Sequence, residues 1–438
     1  MLKKIADAFR VKDIRHRMLF VLLCLIIIRV GSQIPVPGVD STYFSEWFAA
    51  QSGDAFNFFD AFTGGSFANF SILALSITPY ITSSIIMQLL TIAIPAIEEM
   101  HRDGEEGRKK ITAITRYLTI GLSLMESIAM TVGFGNQGLI KDMSFSKGVV
   151  IVVCLTAGSA FLMWIGEQMS EKGIGNGISM VLLINILSRL PSDLTSLYDQ
   201  FISGKTLARG LLAALIIAAI IIGVVVLVII LNGAVRNIPI QHSRKTVGRR
   251  TAGGGSSQIP LKVNTSGVIP IIFASSIMSF PGIICTFAGV KAGDDFWGTV
   301  LNSLSSSNWF NFSRPVYNIG LVIYILLVIF FAYFYTSITF NPLEVADNLK
   351  KQGGVIPGIR SGKPTSDYLN RILHYIIFIG AVGLVIIAVI PFFFNGVFNA
   401  SVSFGGTSLI IIVSVILEAV KQVEAMMVVR NYKGFLND

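Results

Sequence analysis

Long apolar segments with few charged side chains constrain this chain more than any other feature. A helix needs about 20 apolar residues to cross the hydrocarbon core of a bilayer, and ten segments approach or exceed that length. They lie at residues 18–34, 71–95, 112–133, 148–169, 176–190, 208–232, 266–289, 316–338, 370–392 and 406–426. A soluble protein would expose more charge than the 13% of charged residues found here. The sequence therefore predicts an all-α polytopic membrane protein with ten transmembrane helices.

The distribution of basic residues predicts the orientation of these helices. Lys and Arg gather in residues 1–17 and in the loops 96–111, 233–265 and 339–369, whereas residues 393–405 have none. Loops rich in Lys and Arg stay on the cytoplasmic side of a membrane. We therefore expect a cytoplasmic N-terminal segment at 1–17, a cytoplasmic tail at 427–438, and both termini in the cytoplasm.

Two apolar segments interrupted by proline look like copies of each other. Residues 79–88 and 270–279 share identical side chains at corresponding positions, namely Pro79/Pro270, Ile81/Ile272, Ser84/Ser275, Ile86/Ile277 and Met87/Met278. The ten segments divide into halves of five, at 18–190 and 191–426, and an odd number makes the second half enter the membrane from the opposite side. Broken helices at matching places in inverted repeats predict a site at the interface between the halves.

The first of these broken segments has an unusual composition. Segment 71–95 carries many hydroxyl and amide side chains but no Lys, Arg, Asp or Glu. Any one of these groups could pack against a neighbouring helix, but for the whole stripe beside the proline a polar lining is favoured. Just before it, residues 53–70 hold six Phe. Because that many Phe would be costly in an aqueous loop, we predict a short half-helix folded back into the protein, broken at Gly64 and Gly65.

The sequence lacks the motifs of several kinds of enzyme. It has no GxxxxGK[ST] phosphate loop, no HExxH and no GxSxG, and Cys24, Cys154 and Cys285 each lie within an apolar segment without ligand spacing. Charged side chains within the spans are few, with Glu126 in the third and Arg29 near the end of the first, where it could snorkel to the interface. Without a relay of ionisable groups, a passive pore is favoured over an ion-coupled small-solute transporter or an intramembrane enzyme.

Two long loops carry clustered basic residues. They lie around residues 241–250 and 348–363, and the first has no acidic residue. Anchoring on anionic lipid would account for their charge but not for their length. We therefore predict that they bind a polyanionic partner such as RNA, or an acidic protein surface.

Seven ordered motifs resemble the SecY/Sec61-alpha family of protein-conducting channels. They are residues 29–40 (RVGSQIPVPGVD), 79–90 (PYITSSIIMQLL), 103–111 (DGEEGRKKI), 173–179 (GIGNGIS), 260–270 (PLKVNTSGVIP), 355–362 (VIPGIRSG) and 405–409 (GGTSL). They span nearly the whole chain. The resemblance implies a clamshell of two inverted five-helix halves, with a re-entrant plug half-helix at about 54–72. The clamshell would open sideways to lipid at a gate between the second and seventh spans, and the third and eighth spans would lie beside this gate.

The resemblance also implies roles for individual residues. A ring of aliphatic side chains would close the pore, formed by Ile81, Ile85, Ile178, Leu182, Ile269, Ile272 and Ile411. The plug would include Phe62, Gly64, Gly65, Ser66, Phe67 and Ile72, and the lateral gate Thr82, Ser83, Gln88, Ser275, Ser276 and Met278. A surface that docks the SecA motor or the ribosome would use Arg360, Lys350, Lys351, Lys363, Arg244, Arg249 and Arg250. Glu126 lies outside every motif and is given no role.

The partners implied by the resemblance complete these expectations. SecE and SecG would be membrane subunits, and SecA or the ribosome, with its RNA and proteins, would supply energy from the cytoplasmic side. Signal peptides and nascent chains would be the cargo, and the lipid bilayer would receive their apolar segments. The resemblance implies a channel in the bacterial cytoplasmic membrane that is not an enzyme and has no cofactor.

Overall fold

The described part of the chain is mostly helical, with a three-stranded sheet and a separate two-stranded hairpin. The computed structural model describes residues 8–40, 43–46, 60, 63–136, 138, 140, 144–242, 245–247, 250–252, 256–287, 296–305, 308–310, 314–398 and 406–434. The helices are α1 (Lys12–Gly31), α2 (Thr78–Ala93), α3 (Pro95–Arg102), α4 (Glu105–Asn136), α5 (Phe145–Lys172), α6 (Gly177–Phe201), α7 (Leu207–Gly233), α8 (Ile269–Phe287), α9 (Phe296–Leu304), α10 (Asn318–Thr339), α11 (Pro342–Lys351), α12 (Lys363–Phe398) and α13 (Gly406–Gly434).

The apolar segments predicted from the sequence coincide with these helices. Each segment overlaps one of α1, α2, α4, α5, α6, α7, α8, α10, α12 and α13. Within the described residues, six helices are long and apolar enough to cross a membrane, or seven if α2 and α3 form one bent span. A multi-pass helical membrane protein is therefore confirmed at this coarser level, and crossing ten times stays a prediction.

Proline and asparagine residues explain where two of the important helices begin and end. Pro79 lies in the first turn of α2, where its missing N–H costs nothing. Ile94 is extended because it precedes Pro95, and the chain bends by 106° between α2 and α3. Asn176 caps α6, its side-chain oxygen accepting hydrogen bonds from the backbone N–H of Ile178 at 3.0 Å and Ser179 at 3.4 Å.

The packing of the helices repeats between the two halves. In the first half, α1 contacts α5 and α6, and the pairs α2–α4, α4–α5 and α5–α6 also pack together. In the second half, α7 contacts α12 and α13, and the corresponding pairs are α8–α10, α10–α12 and α12–α13. Contacts of α4 with α8, and of α6 with both α7 and α13, join the halves. The internal repeat read from a few identical residues therefore extends to the whole arrangement of helices.

A small sheet joins the two long basic loops, which the all-α prediction missed. Strand β1 (Val235–His242) pairs antiparallel with β4 (Ser256–Lys262) and with β5 (Gly354–Val355), and β2 (Lys245–Val247) pairs with β3 (Arg250–Ala252) in a separate hairpin. The register places Gln241 opposite both Ser256 and Val355. One apolar cluster underlies the sheet, formed by Ile238, Leu261, Ile356, Leu369, Ile372 and Ile376. We call the sheet of β4, β1 and β5, with the helix α11 and residues 352–363, the docking module, after the docking surface predicted from the sequence.

Candidate pore ring, plug and docking surface

Two large apolar clusters meet at the residues predicted to close the pore. One cluster is built mainly from α7, α8, α10 and α12, and the other mainly from α1, α5, α6 and α13. Ile81 of α2 and Ile272 of α8 pack against both clusters. These two isoleucines, which come from opposite halves of the chain, therefore connect the two cores.

The other predicted ring residues lie in the same two clusters. Ile85 and Ile269 pack against the first cluster, and Ile178 packs against the second. Leu182 and Ile411 are buried members of the second, at 4% and 0% exposure. The structure thus brings all seven residues into one continuous apolar region. Val268 and Leu190 also pack against both clusters, and the sequence analysis did not single them out.

In the plug segment Asp60 and Thr63 are helical and residues 64–70 form turns, so the half-helix predicted at about 54–72 stays a prediction. Gly64 and Gly65 have φ values of 68° and 83°, in the left-handed region that ends a right-handed helix. The backbone N–H of Ile72 donates to the carbonyl of Ile34 at 3.0 Å, which ties the segment to the chain after α1. Phe62 and residues 54–59 lie outside the described residues.

Aromatic packing holds the middle of this segment. Phe67 is 2% exposed and its ring lies 6.1 Å from that of Phe134 on α4, with Phe44 and Phe70 in the same cluster. Ser66 is also buried, and Ile72 packs against this cluster and against the second pore cluster. The described part of the Phe-rich segment, which includes Phe67 and Phe70, is therefore held inside the protein.

A set of polar contacts, which we call the plug clasp, fixes this segment to α1 and α6. Asp60 is fully buried and forms an ion pair with Arg189 of α6. Asp60 Oδ1 also accepts a hydrogen bond from the backbone N–H of Ala68 at 2.9 Å. On the other side, Arg29 Nη1 donates to the carbonyl of Gly64 at 3.1 Å, and Ser188 Oγ lies 3.3 Å from the same carbonyl. Arg29 therefore binds this segment, and its snorkelling to the interface stays a prediction.

The backbone at Gly64 leaves no room for a side chain. A Cβ atom there would lie 2.8 Å from Cα of Asn185, and Asn185 Nδ2 in turn donates to Ser76 Oγ at 3.0 Å. No sequence motif predicted the roles of Asp60, Asn185, Ser188 and Arg189. Charge was the available signal, because Asp60 lies within the Phe-rich stretch 53–70 and Arg189 lies within the apolar segment 176–190.

The predicted gate residues lie on α2 and α8, and the gate hydroxyls of α2 bond within their own helix. Ser83 Oγ donates to the carbonyl of Pro79 at 2.7 Å, and Thr82 Oγ1 donates to that of Thr78 at 3.1 Å. Gln88 Nε2 donates to Ser84 Oγ at 3.4 Å, and among the described residues its Oε1 has no partner. These bonds satisfy the α2 hydroxyls within the helix, and the polar lining favoured by the sequence stays a prediction.

On α8, the gate residues face the first pore cluster. Ser275 and Met278 are buried and Ser276 is half-buried. Met278 belongs to the cluster against which Ile81 and Ile85 of α2 pack. Between the halves, α8 also contacts α4.

Exposed basic side chains cover one part of the docking module. Lys350 and Lys351 end α11, while Arg360 and Lys363 flank the start of α12, and all four are exposed. The carbonyl of Arg360 accepts a hydrogen bond from Thr365 Oγ1 at 2.8 Å, which fixes the backbone of this loop. Arg250 is described only as part of β3, and Arg244 and Arg249 lie outside the described residues.

Comparison with known proteins agrees with this architecture. The structure of a protein-conducting channel covers 93% of this chain and 91% of its own, with a TM-score of 0.60 at 19% identity. Sec61 in the canine ribosome-channel complex covers 93% of this chain and 91% of its own, with a TM-score of 0.57 at 18% identity. At these identities the likeness establishes the fold.

Other relatives share more of the sequence of this chain. The protein translocase subunit SecY of Halalkalibacterium halodurans is 43% identical over 443 residues, and that of Bacillus subtilis is 42% identical over 448 residues, each covering the whole of both chains. The SecY of Streptomyces galbus is 42% identical over 451 residues, again over the whole of both chains. A family model described as SecY matches residues 71–420. With the pore clusters, the docking module and the repeated packing in place, the chain belongs to the SecY family.

Proposed function

We propose that this chain is the pore-forming subunit of a protein translocase. It conducts unfolded polypeptides across a membrane and is a channel subunit, not an enzyme. The observation that carries this proposal is the single apolar region formed by ring residues from both halves, joined through Ile81 and Ile272.

An apolar constriction suits this task for a physical reason. A narrow passage lined by aliphatic side chains excludes ions because water leaves it. The same side chains make no directional bonds, so they can separate around an extended peptide of any sequence. The seven ring residues are isoleucine and leucine and offer no hydrogen-bonding group.

We further propose that the two halves are inverted repeats that separate at α2 and α8. The repeated helix packing supports this arrangement, as does the contact of the halves at α4 and α8. Parting of these helices would release an apolar segment of the cargo directly into lipid. The ten apolar segments support ten crossings, and the positive loops support a cytoplasmic position for both termini. The resemblance to SecY implies a bacterial cytoplasmic membrane.

The proposed energy source is a partner that docks on the exposed basic side chains of the docking module. SecA or the ribosome would bind there, and SecE and SecG would be the membrane subunits. Related structures include Sec61 in a ribosome-channel complex and a yeast Ssh1 complex bound to the 80S ribosome. A polyanionic ribosomal RNA would be attracted by the positive charge of this surface.

Reconstitution tests this function directly. The chain, with SecE and SecG, is placed in liposomes and supplied with SecA, ATP and a secretory precursor, and the fraction of precursor protected from added protease is measured. We expect protection that depends on all components. Uptake of a small solute on an ion gradient, with no protected precursor, would contradict the proposal.

Charge reversal at Arg360 tests the docking surface. Arg360→Glu places a negative charge on an exposed basic surface, so binding of an acidic partner should weaken through like-charge repulsion. We expect about a tenfold fall in precursor translocation at physiological salt, with normal insertion of the channel in the membrane. Lys205→Glu, which reverses an exposed charge in the loop between α6 and α7, is the matched control and should translocate normally. Equal translocation by the two variants would remove Arg360 from the docking surface.

A further inference from the structure

A line of hydrogen-bonded polar side chains connects the docking module with the pore ring. Asn264 Nδ2 donates to Asn232 Oδ1 at 2.8 Å, and Asn232 Nδ2 donates to Ser414 Oγ at 2.6 Å. Ser266 Oγ lies 3.4 Å from Asn264 Oδ1 and extends the line by one residue. We call these four residues the asparagine node. None of them belongs to the pore ring, the gate or the docking residues considered above.

The asparagine node is attached to the docking module at the base of its hairpin. Asn232 lies at the end of α7, just before β1, and Asn264 lies just after β4. Between them, the backbone N–H of Val263 donates to the carbonyl of Ala234 at 2.9 Å. The hairpin therefore cannot tilt without moving both asparagines.

Helix α12 packs closely against the base of the hairpin. A Cβ atom on Gly380 of α12 would lie 2.4 Å from the carbonyl oxygen of Val263. The strand end therefore rests directly on the backbone of α12. Asn264 and Ser266 are 6% and 5% exposed, so water does not compete for their hydrogen bonds.

On the other side, the node is attached to two helices of the pore ring. Ser414 lies one turn after Ile411 on α13, and a helix moves such neighbours together. Asn264 is separated from Ile269, near the start of α8, only by a short turn that includes Val268. Val268 packs against both pore clusters, as do Ile81 and Ile272.

A second contact between α13 and α7 supports the same coupling. Lys421 Nζ lies 3.5 Å from the carbonyl oxygen of Asn232, so α13 contacts the end of α7 through two side chains. Further along α13, the side chain of Gln422 accepts a hydrogen bond from the backbone N–H of Gly175, just before α6. Helix α13 is thus tied both to the hairpin base and to α6, which carries Ile178 and Leu182.

From this placement we infer that Asn232 and Asn264 are positioning residues that couple docking to pore opening. A partner that tilts the docking module pulls on the node, and the node moves α13 and the start of α8 away from the ring centre. The inference rests on the proposed pore ring and docking surface. The inference further predicts that, in a channel without the hydrogen bonds of the asparagine node, a partner still docks but the pore ring stays closed.

The test separates docking from opening. Asn232→Leu and Asn264→Leu keep the size of the side chain and remove its hydrogen bonds, and Asn370→Leu, at an exposed position on α12, is the matched control. Reconstituted channels are measured for SecA affinity and for ATP-driven precursor translocation. We expect SecA affinity within twofold of the unaltered channel, and translocation about tenfold lower, the size of a typical coupling between sites. The control should match the unaltered channel in both.

A rescue experiment distinguishes coupling from poor folding. In a channel that also carries Ile81→Ser and Ile272→Ser, the ring is already weakened and Asn264→Leu should no longer lower translocation. The inference is overturned if the node variants translocate like Asn370→Leu, if SecA affinity falls in parallel, or if the weakened ring gives no rescue. Failure of the unaltered channel to translocate would instead contradict the proposed function.

Discussion

A channel carrying Ile81→Ser and Ile272→Ser is expected to leak ions at rest. These residues pack against both apolar clusters, so serine at both positions brings hydroxyl groups and water into the place where the clusters join. Burying one isoleucine contributes about 1.5–3 kcal/mol, and each 1.4 kcal/mol is about a tenfold change in an equilibrium. We therefore expect resting ion flux through proteoliposomes to rise by about 100-fold or more.

Isoleucines elsewhere on the same two helices provide the control. Ile92 of α2 and Ile277 of α8 are 54% and 47% exposed. Ile92→Ser with Ile277→Ser makes the same chemical change outside the pore clusters, and resting flux should stay at the level of the unaltered channel. If the two double variants leak equally, the constriction does not lie at Ile81 and Ile272.

The second large effect is expected from the plug clasp. Arg189→Gln leaves the Asp60 carboxylate buried without its cation, and breaking a buried pair on one side costs about 3–5 kcal/mol. The plug segment should therefore leave its site on α6. Ser66 is 2% exposed in the closed segment, so a thiol introduced by Ser66→Cys is protected there. In the Arg189→Gln variant this thiol should react with a maleimide about 100-fold faster, because each 1.4 kcal/mol is about a tenfold change in an equilibrium.

Removal of both charges gives a sharper comparison. Asp60→Asn combined with Arg189→Gln removes both charges of this ion pair, and replacing a whole buried pair is often close to neutral. Labelling at position 66 should therefore return most of the way to its original rate. Arg209→Gln, at an exposed arginine of α7, controls for the loss of one positive charge. Equal labelling in Arg189→Gln and Arg209→Gln would show that the ion pair does not hold the plug.

The sequence predicted the helices well because their signal is local. Each apolar segment identifies its own helix, and the matching of Pro79 with Pro270 predicted the repeat that the helix packing shows. The seven ring residues were named from motifs, and the structure places them in one region. Their role as a pore ring stays a prediction.

The remaining features depend on contacts that sequence patterns do not encode. Arg29 and Gly64 are 35 positions apart, and nothing in the residues between them indicates that they bind each other. Strand β5 has two residues, too few for any alternation of apolar and polar side chains. The hydroxyls of α2 show the same pattern whether they line a path or bond to their own helix, as Ser83 does.

The two-residue strand β5 has a consequence for exchanging partners between related channels. Because it pairs with β1, the long hairpin and the loop that carries Arg360 share one sheet and one apolar core. If only one of these segments came from a relative, its side chains would not fit the apolar core around Ile238 and Ile356. The pairing of β1 with β5 would then be lost. A channel should therefore gain affinity for a different motor only when both segments are exchanged together.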